Sequence, residues 1–223
     1  MNKLTAVFDL DGTLVDTLPD FTLSINRLFA RMGLAAASEV ELQPMLGDGP
    51  TVFLERALAA RGVDADARMQ ADFIDDYTDY AAVDSQLYPG MAEALVALRR
   101  QGLQLAVCTN KPVASTMLLL RALQIDELFV AIVAGDSHPF RKPDPRHLLH
   151  TLQQAGTQPS RAVMIGDNRN DYLAAQGAGT AFVFAEWGYG QLDGPLDIHG
   201  MRADSPLQLI TAVPQLLALA QAG

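Results

Sequence analysis

The sequence predicts a doubly wound α/β fold: a parallel, Rossmann-like sheet covered by helices, with an all-helical insert after its first strand. Three observations predict it. Short continuous apolar runs alternate with helical patterns through most of the 223 residues. Those runs lack the polar alternation of a half-exposed strand, as expected of a parallel sheet covered on both faces. Residues 16–87 break the rhythm with helix-like segments alone.

In chain order, Thr5 to Leu10 reads as the first buried strand. Helical patterns follow, separated by Gly33, Gly47-Asp48-Gly49-Pro50 and Gly62. Among them, Phe73, Ile74, Tyr77 and Tyr80 form an apolar face, while Asp72, Asp75, Asp76 and Asp79 read as a solvated acidic one. Met91 to Gln101 is the next helix, with Met91, Leu95 and Leu98 on one side and Gly102 as its stop. Leu103 to Cys108 is a strand, and Val113 to Leu123 a helix after Pro112. Phe129 to Ala134 is a strand, followed by a helix that opens on Asp144-Pro145, a cap residue and a first-turn proline. Ala162 to Ile165 and Ala181 to Phe184 are strands, with a helix from Asp171 to Gln176 between them. The predicted division is a core of residues 1–15 and 88–223 and a helical subdomain of residues 16–87.

Composition narrows the function classes. The net charge is −10, from 26 acidic and 16 basic residues, which argues against broad binding to nucleic acid or anionic membrane. The insert holds 13 of those acids against 5 arginines, so most of the excess lies there. One cysteine, Cys108, precludes an internal disulfide and favours a reducing compartment. No apolar run nears the ~20 residues of a membrane helix, and Asp9 and Asp11 interrupt the stretch a signal peptide would need. The expectation is a cytoplasmic monomer or homodimer without nucleic-acid or membrane partners.

Ligands of such sheets bind beyond the carboxyl ends of the strands. The first strand ends in Asp9-Leu10-Asp11-Gly12-Thr13, the second in Thr109-Asn110-Lys111, the fourth in Gly166-Asp167, and Lys142 follows the third. Asp11-Gly12 alone reads equally well as a turn. Asp9 is harder to place without a ligand, because an acid ending an apolar strand is costly unless something binds it. Acids gathered at adjacent strand ends suggest an oxygen-ligand site for a hard cation, Mg²⁺ first. Thr109 and Asn110 precede a helix, so hydroxyl, amide and free N–H groups could hold a phosphate; both are also common caps. Lys142 would neutralise such an anion. Asp171 either joins the acids or simply favours a helix N-terminus.

Asp9-Leu10-Asp11-Gly12-Thr13-Leu14-Val15-Asp16 resembles the first motif of the haloacid dehalogenase-type hydrolase superfamily. Thr109, Lys142 and Gly166-Asp167 to Asp171 resemble its second, third and fourth motifs. Tyr88-Pro89-Gly90, Thr109-Asn110-Lys111-Pro112, Gly47-Asp48-Gly49 and Trp187-Gly188-Tyr189-Gly190 resemble its bacterial phosphoglycolate phosphatase branch. The resemblance implies that the insert is a helical cap. It implies Asp9 as nucleophile, Asp11 as acid and base, and Mg²⁺ held by Asp9, the Asp11 carbonyl and Asp167. It also implies that Thr109, Asn110 and Lys142 bind phosphoryl oxygens, with Asp171 supporting Lys142 or a metal-bound water.

The expected substrate is a small phosphorylated metabolite, 2-phosphoglycolate first. The alternatives are another substrate such as a sugar phosphate, or a sugar-phosphate mutase of the same fold. A carboxylate on the substrate should meet a cation, and the insert offers only Arg27, Arg31, Arg56, Arg61 and Arg68. It offers no lysine, which argues against a Schiff-base phosphonate-cleaving enzyme. A phosphorylated receiver domain is the non-enzymatic rival; Asp11 and the insert argue against it. His147 and His150 share a helix face without a third ligand and read as a surface pair. Trp187-Gly188-Tyr189-Gly190 either borders the site or packs as a glycine-bracketed aromatic loop.

Overall fold

The structure, a computed structural model, describes residues 3–196 and 200–222. Its centre is a six-stranded parallel sheet formed by β1 (Thr5–Phe8), β4 (Gln104–Cys108), β5 (Phe129–Val133), β6 (Ala162–Gly166), β7 (Ala181–Ala185) and β8 (Gly200–Ala203). The spatial order is β5-β4-β1-β6-β7-β8, so the chain winds outward in both directions from β1. This is the expected doubly wound fold.

Pleating divides each strand between two cores. Ala6, Phe8, Leu105, Val107 and Val183 face α5 (Met91–Arg100), α6 (Val113–Ala122) and α9 (Leu209–Ala222). Val7, Ala106, Cys108, Met164 and Phe182 face α7 (Pro145–Gln154) and α8 (Arg169–Ala178). Both faces of β1, β6 and β7 are dry, which is why they read as unbroken apolar runs, whereas the edge strand β5 leaves Val130 half exposed. Asp144 caps α7 by accepting from the Arg146 N–H at 2.9 Å, and Pro145 takes the first helical position.

The insert leaves and returns through a short antiparallel ribbon, β2 (Val15–Asp16) and β3 (Gln86–Leu87). Between them lie α1 (Leu18–Arg31), α2 (Glu39–Leu42), α3 (Pro50–Ala59) and α4 (Ala67–Asp79). These helices bury a core of their own, with Phe21, Ile25, Phe29, Phe53, Leu54, Phe73 and Tyr77 at its centre. Asp20 ties the two ends of the insert together. Its buried carboxylate accepts from the Val83, Asp84 and Ser85 N–H groups and from the Ser85 hydroxyl, at 2.5–3.1 Å.

Several local expectations need correction. Asp76 is not on a solvated face: it pairs with Arg27 at 2.6 Å and with Arg31 at 3.6 Å. His147 is fully buried, not half of a surface pair, and burial, with the nearby Lys142 charge, pulls its imidazole down to about 4. The His150 ring lies instead 3.7 Å from that of His138. No helix among the described residues is long and apolar enough to cross a membrane.

Candidate active site

Four buried chain segments converge at the carboxyl ends of β1, β4 and β6. Asp9 follows β1 directly, its N–H held by the Ile165 carbonyl at 2.9 Å. Asp167 follows β6, and Asp171 lies in the first turn of α8. Oxygens of Asp9, Asp167 and Asp171 lie within 4.8 Å of one another, and all three side chains are buried. Asp11, which the sequence grouped with them, turns its carboxylate elsewhere: Oδ1 accepts from the Lys111 ammonium at 3.0 Å.

Lys142 stands among the acids. Its Nζ lies 2.8 Å from Asp9 Oδ1 and 2.6 Å from Asp171 Oδ1. Burial disfavours its charge, but Asp171 and Asp9 outweigh that and hold the ammonium above the ordinary lysine range. Asp171 answers both readings of it. One oxygen accepts from Lys142, and the other accepts from the Asn168 N–H at 3.0 Å in a capping box at the start of α8.

The backbone of Lys142 is fixed by Asn110. The Asn110 Oδ1 accepts from the Lys142 N–H and its Nδ2 donates to the Lys142 carbonyl, both at 3.0 Å. The same Nδ2 reaches the Gly47 carbonyl at 3.2 Å. The Asn110 amide, expected to face a phosphate, is therefore engaged by protein on both of its atoms. The Thr109 hydroxyl accepts from the Lys111 N–H at 3.2 Å, which starts the turn out of β4.

Asp167 is held rigidly. Its Oδ1 accepts from the Thr13 hydroxyl at 2.9 Å, and its Oδ2 from the Tyr189 and Gly190 N–H groups at 2.8 and 3.1 Å. Burial, with the Asp9 charge beside it, pushes its carboxyl up to about 6. The loop after β7 thus borders the site, and its glycines have a steric cause. A Cβ at Gly188 would stand 2.2 Å from the Asp167 Cβ, and one at Gly190 2.2 Å from the Asp167 carbonyl oxygen.

That loop also reaches the cap. The Tyr189 hydroxyl donates to Asp16 Oδ1 at 2.6 Å and accepts from the Thr17 and Leu18 N–H groups at 2.6 and 2.8 Å. One residue therefore touches both the acidic cluster and the hinge of the insert.

The cap lies closed over this rim. Gly47, whose φ of +110° suits glycine, brings its loop against the core. Asp48 Oδ1 accepts from Asn170 Nδ2 at 2.6 Å. Gly47-Asp48-Gly49 is thus both a turn between helices and a wall of the site. Asp9, Asp11, Thr109, Asn110 and Lys111 meet Phe21, Leu46, Gly47 and Gly49 around a cavity of about 20 Å³, room for a single water.

Sequence reasoning left Lys111 unassigned. Its side chain is fully buried, between Asp11 and the cap rings of Phe21 and Tyr77, at 5.0 and 4.3 Å from their centroids. The signal was present: a chain with three lysines places one directly after Thr109-Asn110. None of the five cap arginines lines the cavity. Arg27 pairs with Asp76, Arg56 with Asp48 and Arg61 with Glu41, while Arg31 lies 3.6 Å from Asp76 and Arg68, 90% exposed, 4.0 Å from Asp72.

An acidic cluster with an ammonium at the strand ends of a doubly wound sheet, under a helical cap, is the build of a capped hydrolase. Residues 6–185 match the family model described as haloacid dehalogenase-like hydrolase, and the chain belongs to that family. It is 41% identical over 193 residues to a phosphoglycolate phosphatase of Mesorhizobium japonicum, covering 85% of each chain. Among solved structures it is similar to a predicted phosphoglycolate phosphatase from Haemophilus somnus, with a TM-score of 0.83 and 33% identity over 95% of this chain and 97% of that one. It is also similar to CbbY from Rhodobacter sphaeroides in complex with phosphate, with a TM-score of 0.79 and 27% identity over 94% and 96% of the two chains.

Proposed function

We propose that this chain is a Mg²⁺-dependent phosphomonoesterase that hydrolyses 2-phosphoglycolate to glycolate and inorganic phosphate. The observation that supports it most is the convergence of Asp9, Asp167, Asp171 and Lys142 beneath a closed cap. The names of its relatives support the substrate. A cytoplasmic setting accords with the single buried Cys108.

The donor set fits a hard divalent cation. Of three clustered buried carboxylates, Asp9 and Asp171 pair with the Lys142 ammonium and Asp167 pairs with no cation among the described residues, so the cluster keeps an excess of negative charge that burial makes costly. Asp9, Asp167 and the Asp11 carbonyl would hold Mg²⁺, which when bound offsets that charge and stabilises charge on the phosphoryl oxygens.

The residues divide the work as follows. An Asp9 oxygen attacks phosphorus, and the bond to the glycolate oxygen breaks with its electron pair leaving on that oxygen. Asp11 gives that oxygen a proton. Water then attacks the phosphorus of the aspartyl-phosphate and loses a proton to Asp11. The phosphorus–Asp9 bond breaks, returning its electrons to the Asp9 carboxylate and releasing phosphate. Lys142 and the Thr109 hydroxyl bind the phosphoryl oxygens, where a fixed cation counts most. Asn110 acts as a positioning residue by clamping the Lys142 backbone, and Asp171 by holding its ammonium. The cap admits substrate by opening, since the closed cavity holds about one water.

A phosphate-release assay tests this, with 2-phosphoglycolate, a sugar phosphate and a neutral monoester, with and without a chelator. Release is expected to be fastest from 2-phosphoglycolate and to stop with the chelator. Asp9→Asn is expected to lower it at least ~1,000-fold. Cation-independent release, or an Asp9→Asn variant with ordinary turnover, would refute the assignment.

A further inference from the structure

We propose that Lys111 is the cation that selects the substrate: its ammonium binds the carboxylate of the leaving group. Discrimination for a short anionic ester then resides in the loop after β4, beside the reacting atoms, and not in the cap arginines. This assignment rests on the phosphoglycolate phosphatase reading above.

Position is the first argument. Lys111 lines the same cavity as Asp9, Asp11 and Thr109. Its Nζ lies 3.0 Å from Asp11 Oδ1, the group assigned to the bridging oxygen of the ester. In 2-phosphoglycolate three bonds of ~1.2–1.5 Å separate that oxygen from a carboxylate oxygen, a reach of at most ~3.5 Å. A cation beside Asp11 is therefore where the carboxylate arrives when Asp11 reaches the bridging oxygen.

Unspent bonding capacity is the second. An ammonium has three donors. Among the described residues the Lys111 ammonium meets one acceptor, Asp11. Its other close neighbours are the faces of Phe21 and Tyr77, which attract a cation without using its hydrogen bonds fully. Tyr77 also has a buried hydroxyl with no protein partner. A buried lysine with one carboxylate and two ring faces is poised for a second anion.

Elimination is the third. The cavity lining contains none of the cap arginines: Arg27, Arg56 and Arg61 are paired with acids of the cap, and Arg31 and Arg68 lie exposed. A substrate carboxylate on Lys111 would also compete for its hold on Asp11, freeing the acid to move onto the bridging oxygen.

The test compares kcat/KM for 2-phosphoglycolate and ethyl phosphate, its two-carbon neutral counterpart, in wild type and Lys111→Met. Methionine keeps an unbranched stem against Phe21 and Tyr77 and removes the charge. The preference for 2-phosphoglycolate is expected to fall ~10- to 100-fold, the range for a hydrogen bond to a charged group. Both esters are measured on one preparation, so the ratio does not depend on the fraction folded. A fall of less than tenfold overturns the assignment and leaves the phosphatase reading standing. Release of phosphate from neither ester by wild type is the failure of that reading and takes Lys111 with it. A crystal structure of Asp9→Asn with 2-phosphoglycolate gives a second readout. A carboxylate oxygen within ~3.2 Å of Lys111 Nζ supports the proposal, and a carboxylate on a cap arginine overturns it.

Discussion

Asp167 sits in an environment that favours its neutral form. It is 2% exposed, faces Asp9, and accepts three hydrogen bonds that only partly offset the cost of burying its charge. An acid whose folded pKa is raised to about 6 makes its contribution below its unfolded value, near 4, and loses it as pH rises through 6. A rise of that size corresponds to about 3 kcal/mol. In the metal-free protein, Asp167→Asn is therefore expected to raise unfolding stability near pH 7 by up to ~3 kcal/mol, and by nearly nothing at pH 4. Asparagine can accept from Tyr189 and Gly190 and donate to Thr13, so the shape is kept. Denaturant unfolding with chelator at the two pH values measures this, and a gain equal at both would contradict it. At this scale the acids were legible, because a carboxylate at the end of an apolar strand stands out in a sequence. Lys111 and Tyr189 stood out by their context, but what each binds was not legible. Their partners Asp11 and Asp16 lie 100 and 173 residues away, and no local pattern records such a pairing.

The elements divide in the same way. The five apolar runs stood out as strands because they are continuous, even in β5 where Val130 is half exposed, and Asp144-Pro145 announced α7 through its cap chemistry. The edge strand β8 (Gly200–Ala203) did not stand out, being four residues with a glycine and an exposed arginine. The β2–β3 ribbon, at two residues a side, is too short for any period to show. The cap–core seam depends on similarly small features. The loop over the site is held by Asp48 to Asn170 of α8 at 2.6 Å and by the Gly47 carbonyl to Asn110 at 3.2 Å. Asn170→Ala removes the first link without touching the acidic cluster. Hydrogen exchange of the loop 47–49 and the first turn of α3 is expected to rise several-fold, with a global loss of no more than ~1 kcal/mol. Unchanged exchange there would show that the link does not hold the cap.

Across the whole molecule, charge is segregated. The chain carries −10 in all, and most of the excess lies in the insert, on the cap that covers an anion-binding site. Two of the three lysines lie inside that site, each fully buried against a carboxylate. The order of apolar runs and helical patterns argued correctly for a doubly wound α/β fold with a helical insert, but it contains no record of where the cations point. The most direct measurement of the central claim is a rapid acid quench of the enzyme with radiolabelled 2-phosphoglycolate and Mg²⁺, followed by peptide mapping. Label held covalently on the peptide containing Asp9, and lost on treatment with hydroxylamine, is the result expected of an aspartyl-phosphate. Phosphate production without any protein-bound label, or label on a peptide that lacks Asp9, would contradict the account.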